Sequence, residues 1–473
     1  MTGRLVIVSN RVPSDGPPAG GLVVALHDCL HARGGVWYGT SGELSDTPGD
    51  GFHDVEGDGY EMRTFDLTPE EQQGYYLGYA NSVLWPLCHR RADLMEIGDG
   101  DFDAYLGVNR RLARMMAKEL GPDDVIWVHD YHFLPLAACL RQEGVTATIG
   151  YFHHIPFPSG HDLMALPERD LVPGWMSAFD LFGLQTQRDV AAALEMVRGL
   201  VGAEQLRDGS IKVRDRRFEV RSFPIGIDAQ AFAQDALSAE GRELLNLARD
   251  ERLVIGVDRL DYSKGLDNRL RAFGRYLEAR TEDEPKASLL QIAPPTREDV
   301  TAYQQIRDDL ERVAGQVNGE HSDLGWTPIR YIHRGIPRET LAGLYRDADV
   351  GLVTPFCDGM NLVAKEYVAA QNPENPGVLI LSQFAGAVEQ MPAALIVNPY
   401  DINEMARALR QALSMPLDER RERHQLLSRG VFRNDVARWT TNYLDAMARL
   451  REARAGQAEP SDNSAQDLRT GEG

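Results

Sequence analysis

At 473 residues the chain exceeds what one compact core supports, so two large domains are expected. Apolar residues at 43% and charged residues at 26% give the balance of a globular protein. No apolar run approaches the ~20 residues of a membrane span and no signal-peptide pattern opens the chain, so a cytoplasmic protein is expected. The formal net charge of −21 argues against non-specific nucleic-acid binding, which needs a basic surface, yet permits a local basic pocket around a small phosphorylated ligand.

Short β-rich runs alternate with longer amphipathic stretches, the pattern of βαβ units and parallel sheets. Strands are expected at Arg4–Val8, Val125–Val128, Thr148–Phe152, Leu181–Leu184 and Phe218–Val220. A second set restarts at Leu253–Val257 and continues through Leu289–Ile292, Arg330–His333, Val350–Val353, Val378–Leu381 and Leu395–Val397. The boundary falls near Pro224 to Gln230, giving an N-terminal domain over 1–228 and a C-terminal domain over 229–434. Val436, Trp439, Tyr443, Met447 and Leu450 recur at three and four residues, so a helix at 435–454 should lay one apolar face on a domain. Residues 455–473 hold almost no large apolar side chains and are expected to be disordered. Cys29, Cys88, Cys139 and Cys357 lack paired CxxC spacing, which fits reduced thiols better than disulfides or zinc.

In open α/β sheets ligands bind beyond the carboxyl ends of the strands, so polar residues that directly follow strands are the candidates. Ser9-Asn10-Arg11 follows the first strand, His129-Asp130-Tyr131-His132 another, and His153-His154-Ile155-Pro156-Phe157-Pro158 a third. The second half adds Asp258 to Gly265, Ala293 to Arg297, and the run Asp358-Gly359-Met360-Asn361-Leu362-Val363-Ala364-Lys365-Glu366. A strand, a Gly-containing turn and a helix start offer backbone N–H groups and a positive dipole end to an anion. Glu366, one turn into that helix, then suits the hydroxyls of a ribose, as the acidic residue of dinucleotide folds does. Arg259 could instead form a surface ion pair with Asp258 or Asp261, worth ~0 to 1 kcal/mol. Its spacing from Lys264 on one post-strand loop nonetheless suits two cations converging on a diphosphate. The four histidines His129, His132, His153 and His154 lack helical metal-ligand spacing, and Asp99 to Asp103 lacks the later ligands of a calcium loop. Gly20-Gly21 reads either as a close-approach loop or as a turn, and Tyr76 and Trp85 either as core aromatics or as sugar platforms.

With these residues in order, the chain resembles the bacterial trehalose-6-phosphate synthases over roughly residues 4 to 452. The motifs are Ser9-Asn10-Arg11, Ala19-Gly20-Gly21-Leu22, Val83-Leu84-Trp85-Pro86, His129-Asp130-Tyr131-His132, His154 to Pro158, Arg259 to Gly265 and Asp358 to Val363. The resemblance implies a GT-B glycosyltransferase architecture: two Rossmann-like α/β domains with parallel sheets facing a central cleft. It implies transfer of glucose from UDP-glucose to glucose 6-phosphate with retention, giving α,α-trehalose 6-phosphate and UDP, with no cofactor and no metal. Arg259, Lys264, His154 and Asp130 would be catalytic. Gly20, Gly21, Ile336, Asp358, Leu362, Val363, Ala364, Lys365 and Glu366 would join Arg259 and Lys264 at the donor. Arg11, Tyr76, Trp85 and Arg297 would join Asp130 at the acceptor.

One position departs from that pattern. Where the family commonly carries a Trp after a Trp-aromatic-Gly run, this chain reads Trp37-Tyr38-Gly39-Thr40, so the acceptor wall is expected to be remodelled. The alternatives are a synthase using another nucleotide-glucose or phosphorylated acceptor, and a silent regulator that senses sugar phosphates. A homo-oligomer is compatible with the sequence.

Overall fold

A computed structural model describes residues 3–13, 21–56, 59–198, 202–213, 216–238, 241, 243–248, 250–296 and 301–458. The first half contributes Leu5–Arg11 (β1), Val36–Leu44 (β2), His53–Glu56 (β3), Glu61–Leu67 (β4), Val125–His129 (β5), Thr148–Phe152 (β6), Leu181–Leu184 (β7), Ala203–Gln205 (β8), Ile211–Val213 (β9) and Arg216–Ser222 (β10). They form a ten-stranded sheet in the order β3-β4-β2-β1-β5-β6-β7-β10-β9-β8. The strands from β4 to β10 run parallel. The edges β3 and β8–β9 are antiparallel, so the sheet is parallel only in its centre. The central strands β5, β6 and β7 are buried along their whole length. Burial on both faces explains why they read as continuous apolar runs rather than as alternation.

The second half contributes Arg252–Val257 (β11), Ala287–Ile292 (β12), Ile329–Ile332 (β13), Val350–Val353 (β14), Val378–Ser382 (β15) and Leu395–Val397 (β16). All six run parallel in the order β13-β12-β11-β14-β15-β16. In each sheet the chain order reverses at one place, between β1 and β5 and between β11 and β14. Such a reversal opens a crevice beyond the carboxyl ends of the strands, the usual place for a ligand in this topology.

Every expected strand is present. Five were not anticipated: β2, β3, β4, β8 and β9. The edge strands β3, β8 and β9 are only three or four residues long and mostly exposed, so they carry little apolar signal. In β2, Gly39 and the polar run from Thr40 to Glu43 interrupt the pattern, although Val36 to Thr40 are buried.

The last helix, Val436–Ala458, returns to the first sheet. It runs four residues past the expected end at 454, and 459–473 lie outside the described residues. Its apolar face sits where the three-four spacing placed it: the Trp439 and Tyr443 rings lie 5.0 and 4.4 Å from Trp127, and the Tyr443 hydroxyl donates to the Tyr151 carbonyl at 2.8 Å. Gly150 makes room for it, since a Cβ there would meet the Met447 sulfur and the Tyr443 hydroxyl at 2.5 Å. The chain therefore crosses between the halves twice. The two crossings run side by side, with the Val436 amide donating to the Ile227 carbonyl at 3.2 Å.

Trp439 is 2% exposed and wedged between Trp127 and Phe152. Trp439→Ala should cost about 3–5 kcal/mol through lost burial and the cavity left behind. Thermal unfolding followed by near-ultraviolet circular dichroism measures this, and an unchanged melting temperature would show that the last helix is not part of the first-half core.

Candidate functional site

The loop after β11 begins with Asp258, which is committed to Arg269 in a fully buried ion pair of 2.7 Å. Arg269 also donates to Thr354 and Gln291 at 3.0 and 3.1 Å, tying β11 to its neighbours. Asp261 accepts from the Ser263 amide and hydroxyl at 2.8 and 2.7 Å. Both aspartates considered as partners of Arg259 are thus engaged by other groups. The Arg259 guanidinium instead lies over the Trp85 ring of the first half, 5.7 Å from its centroid.

Lys264 closes the same loop, and Gly265 follows it with φ of 62°, a left-handed conformation that glycine adopts without strain. The Lys264 amine donates to Asp358 at 2.6 Å, joining the loop after β11 to the loop after β14. Asn361 donates to the same carboxylate at 3.0 Å, while its side-chain oxygen accepts from the Ala364 amide at 3.1 Å and caps the helix Leu362–Ala370. Asn361 does this at φ of 72°, a sparsely populated conformation of the kind stored at functional sites. The first-turn amides of Leu362 and Val363 point back along the helix axis toward the cleft, where they add positive potential. Burial disfavours the charge on Asp358, but Lys264, with help from Asn361, more than offsets it and holds the carboxyl below its usual range. Burial also disfavours the Lys264 ammonium, and Asp358 with Asp258 more than offsets that. Both groups stay charged.

The first half supplies the opposite wall. Asp130, directly after β5, has φ of 72°, and its carboxylate accepts from the His154 amide at 3.2 Å. The His154 Nε2 lies 3.0 Å from the Nδ1 of His129. Burial and the neighbouring His153 push the His154 imidazole down to about 3, so the ring is neutral near neutral pH. Tyr76 comes from a π-helical stretch, Gln72–Leu84, which ends with the Trp85 amide donating five residues back to Ala80. Such wide turns are rare and concentrate at functional sites. Tyr76 stacks on His132 at 5.9 Å, and Trp85 packs on His89 at 4.2 Å.

These groups enclose a cavity of about 600 Å³ between the carboxyl edges of the two sheets. It brings together Tyr76, Trp85, Asp130, His154, Arg259, Lys264, Asp358, Leu362 and Val363. A second cavity of about 150 Å³ adjoins it at Asn10 and Tyr76 and is lined by Arg11, Thr40 and Gly42. Thr40 turns inward to donate to the Asn10 carbonyl at 2.6 Å, and a Cβ at Gly42 would meet the Arg11 guanidinium at 2.8 Å. A larger cavity of about 1050 Å³ lies away from these residues, around Arg252, Arg346 and Arg420.

Not every candidate reaches the cleft. Lys365 is turned away from it: the amine donates to the Ile225 carbonyl at 2.5 Å and to Gln390 at 2.7 Å, across the crossing between the halves. Ala364 is buried, with its amide engaged by Asn361. Helical periodicity explains both, because Leu362, Val363 and Glu366 share a face from which residues 364 and 365 are rotated. Glu366 and Ile336 lie outside the lining of the 600 Å³ cavity. Glu366 is half-buried in the field of Arg338, two residues beyond Ile336, and burial raises its carboxyl to about 7. Gly21 begins the helix Gly21–Arg33, whereas Gly20 and Arg297 fall outside the described residues. Gln185 and His89 are not among the residues singled out from the motifs. Gln185 accepts from the Ile225 amide at 3.0 Å and lines the cavity, and His89 lines it behind Trp85. Neither stands in a motif with a recognisable chemical pattern.

The family profile described as glycosyltransferase family 20 matches residues 11–449. A trehalose-6-phosphate synthase of Sinorhizobium fredii is 45% identical over 453 residues, covering 93% of this chain and 97% of the relative. A solved α,α-trehalose-phosphate synthase (UDP-forming) of Burkholderia xenovorans in complex with glucose-6-phosphate superposes with a TM-score of 0.88 at 44% identity, covering 94% of this chain and 100% of that one. The structure of trehalose-6-phosphate from E. coli bound with UDP-2-fluoro glucose superposes with a TM-score of 0.90 at 42% identity, covering 94% and 99%. Likeness of this extent along nearly the whole chain is decisive: the protein belongs to glycosyltransferase family 20.

Proposed function

We infer that the chain transfers glucose from UDP-glucose to glucose 6-phosphate with retention, forming α,α-trehalose 6-phosphate and UDP. The observation that carries this reading is the 600 Å³ cavity, in which the Arg259–Lys264 loop and the Leu362–Ala370 helix start face Asp130, His154 and Tyr76. Residues 1–228 serve the acceptor and 229–434 the donor, with the helix at 435 onward fastening the second half back to the first. The donor diphosphate lies against Arg259, Lys264 and the amides of Leu362 and Val363. The nucleoside runs along the carboxyl edge to Ile336 and Glu366. His154 and Asp358 hold the transferred glucose, and Gly20-Gly21 lets backbone approach it. Asp130 holds hydroxyls of the acceptor sugar, while Arg11 and Arg297 take its phosphate, helped by Tyr76 and Trp85. The adjoining 150 Å³ cavity, which holds Arg11 and Tyr76, supports that phosphate assignment.

A retaining mechanism through a glycosyl-enzyme uses a carboxylate as nucleophile. The pairing of Asp358 with Lys264 and Asn361 weakens it in that role, and Asp130 accepts from the His154 amide. In the reading that the family resemblance implies, the acceptor hydroxyl attacks the anomeric carbon on the face from which UDP departs. The bond from carbon to the diphosphate oxygen breaks with its electrons on the diphosphate, and the hydroxyl proton passes to that leaving oxygen. Arg259, Lys264 and the helix start stabilise the growing negative charge in a water-poor cleft, where preorganised charges act strongly. Two fixed cations at the diphosphate fill the role a divalent metal would otherwise take. The reaction is placed in the cytoplasm, a reading supported by the four buried free thiols and by the lack, among the described residues, of a helix long and apolar enough to cross a membrane.

UDP release from UDP-glucose should require glucose 6-phosphate, persist in EDTA, and yield a disaccharide phosphate with two α-anomeric proton signals. Release with a different acceptor only would assign the chain to another reaction of its family, and loss of release in EDTA would refute the role given to the two cations. A second outcome follows from Glu366. A carboxylate that accepts from ribose hydroxyls must be ionised, and burial raises this group from 4.5 to about 7. Donor affinity should therefore be full above that value and decline as pH falls through it, approaching about tenfold per unit well below it. The KM for UDP-glucose measured from pH 8 to pH 5.5 reads this directly; a flat profile, or one unchanged in Glu366→Gln, removes Glu366 from the donor site.

A further inference from the structure

His129 stands behind the cavity wall. It is 0% exposed, its ring centroid is 4.6 Å from Trp127 and 6.5 Å from both Phe152 and Trp439, and its Nδ1 lies 3.0 Å from His154 Nε2. Its other nitrogen, Nε2, is buried with no hydrogen-bond partner. At 3.0 Å one of the two facing nitrogens carries the proton and the other accepts it. Burial holds both rings well below their ordinary range, so each is neutral and has a single N–H to place.

The surroundings decide where the proton sits. Were the His129 proton on Nε2, an N–H would be stranded among indole and phenyl rings. Orphaned buried N–H groups are rarer in folded proteins than under-filled acceptors. With the proton on Nδ1, His129 donates to His154 Nε2, and the proton of His154 must then reside on its own Nδ1. That nitrogen belongs to a side chain lining the cavity, and its partner nitrogen is already occupied.

We propose that His129 is a positioning residue that fixes His154 as the neutral Nδ1–H tautomer, making it a hydrogen-bond donor to an oxygen of the transferred sugar. As the donor bond breaks, negative charge grows on the leaving diphosphate and positive character on the sugar ring, so an N–H at this place acts by holding a sugar hydroxyl in the reactive position rather than by meeting charge that develops on the sugar. The histidine pair thus resembles the outer partners that orient metal-bound imidazoles, with a second imidazole in place of the usual carboxylate or carbonyl. A carboxylate there would draw His154 toward the imidazolium; a neutral imidazole sets the tautomer and leaves the charge at zero. The proposal rests on the placement of His154 against the transferred glucose given above.

The tautomer is read without substrate, by nitrogen NMR of protein labelled with nitrogen-15 at histidine, with the His154 signals identified by their loss in His154→Gln. The expected result is a protonated, pyrrole-type Nδ1 and a pyridine-type Nε2; the reverse pattern overturns the proposal, whatever reaction the protein catalyses. Kinetics then test the consequence. His129→Asn keeps an N–H close to the position of the ring Nδ1 and should hold kcat within about threefold, whereas His129→Leu should lower it by about tenfold or more with the KM for glucose 6-phosphate little changed. Equal losses in the two variants would mean that His129 only fills space.

Discussion

Two parallel sheets can meet carboxyl end to carboxyl end only if the charges brought into the gap are paired, and the bond between Lys264 and Asp358 meets that constraint. Its side chains are 10% and 15% exposed. Removing one partner of so buried a pair typically costs about 3–5 kcal/mol, because the other charge is left uncompensated. The bond also sets the local architecture. Asp358 draws in Asn361, Asn361 caps the helix at Leu362, and that cap leaves the next amides directed at the cleft. A single ion pair thus links a cation, a helix start and the backbone of two loops, one after each strand flanking the reversal of chain order in the second sheet.

The halves are also joined on the far side of the site. Lys365 binds the Ile225 carbonyl, and Glu389 accepts from the amides of Gln187 and Arg188, so a carboxylate of the second half caps a helix of the first. Backbone meets backbone at Gly359, where a Cβ would collide with the His154 carbonyl. The amine of Lys365, lowered to about 7 by burial, thereby belongs to the crossing between the halves rather than to the cleft. Such links tie the position of His154 on one wall to that of Asp358 on the other.

Much of this was legible in the residues. Central strands such as Val125 to Val128 are buried on both faces and announce themselves as apolar runs, and polar residues that follow them at Asp130, His154, Arg259 and Asp358 converge because the topology requires it. The three-four spacing of Trp439, Tyr443 and Met447 located the last helix. Less legible were features that depend on what a side chain meets in space. No spacing rule distinguishes Lys365 at the crossing between the halves from Lys264 at the cleft, both being lysines near helix starts. The short strands β3 and β8 lack an apolar face, β9 offers only Ile211 and Val213, and the π-helical turns that present Tyr76 have no sequence pattern of their own. The resemblance to a known family supplied the substrates, which charge and spacing alone narrowed only to a sugar nucleotide.

If the cations act on charge that appears as UDP departs, they must matter more in the transition state than in the ground state. The most direct test compares Arg259→Ala with the unaltered protein in two numbers measured side by side: kcat, and the dissociation constant of UDP-glucose by titration. The account predicts that kcat falls by about 10² or more and that the loss of donor affinity is at least tenfold smaller. An affinity loss equal to the whole decrease in kcat/KM, with kcat unchanged, would contradict it and reduce Arg259 to a residue that merely holds the donor.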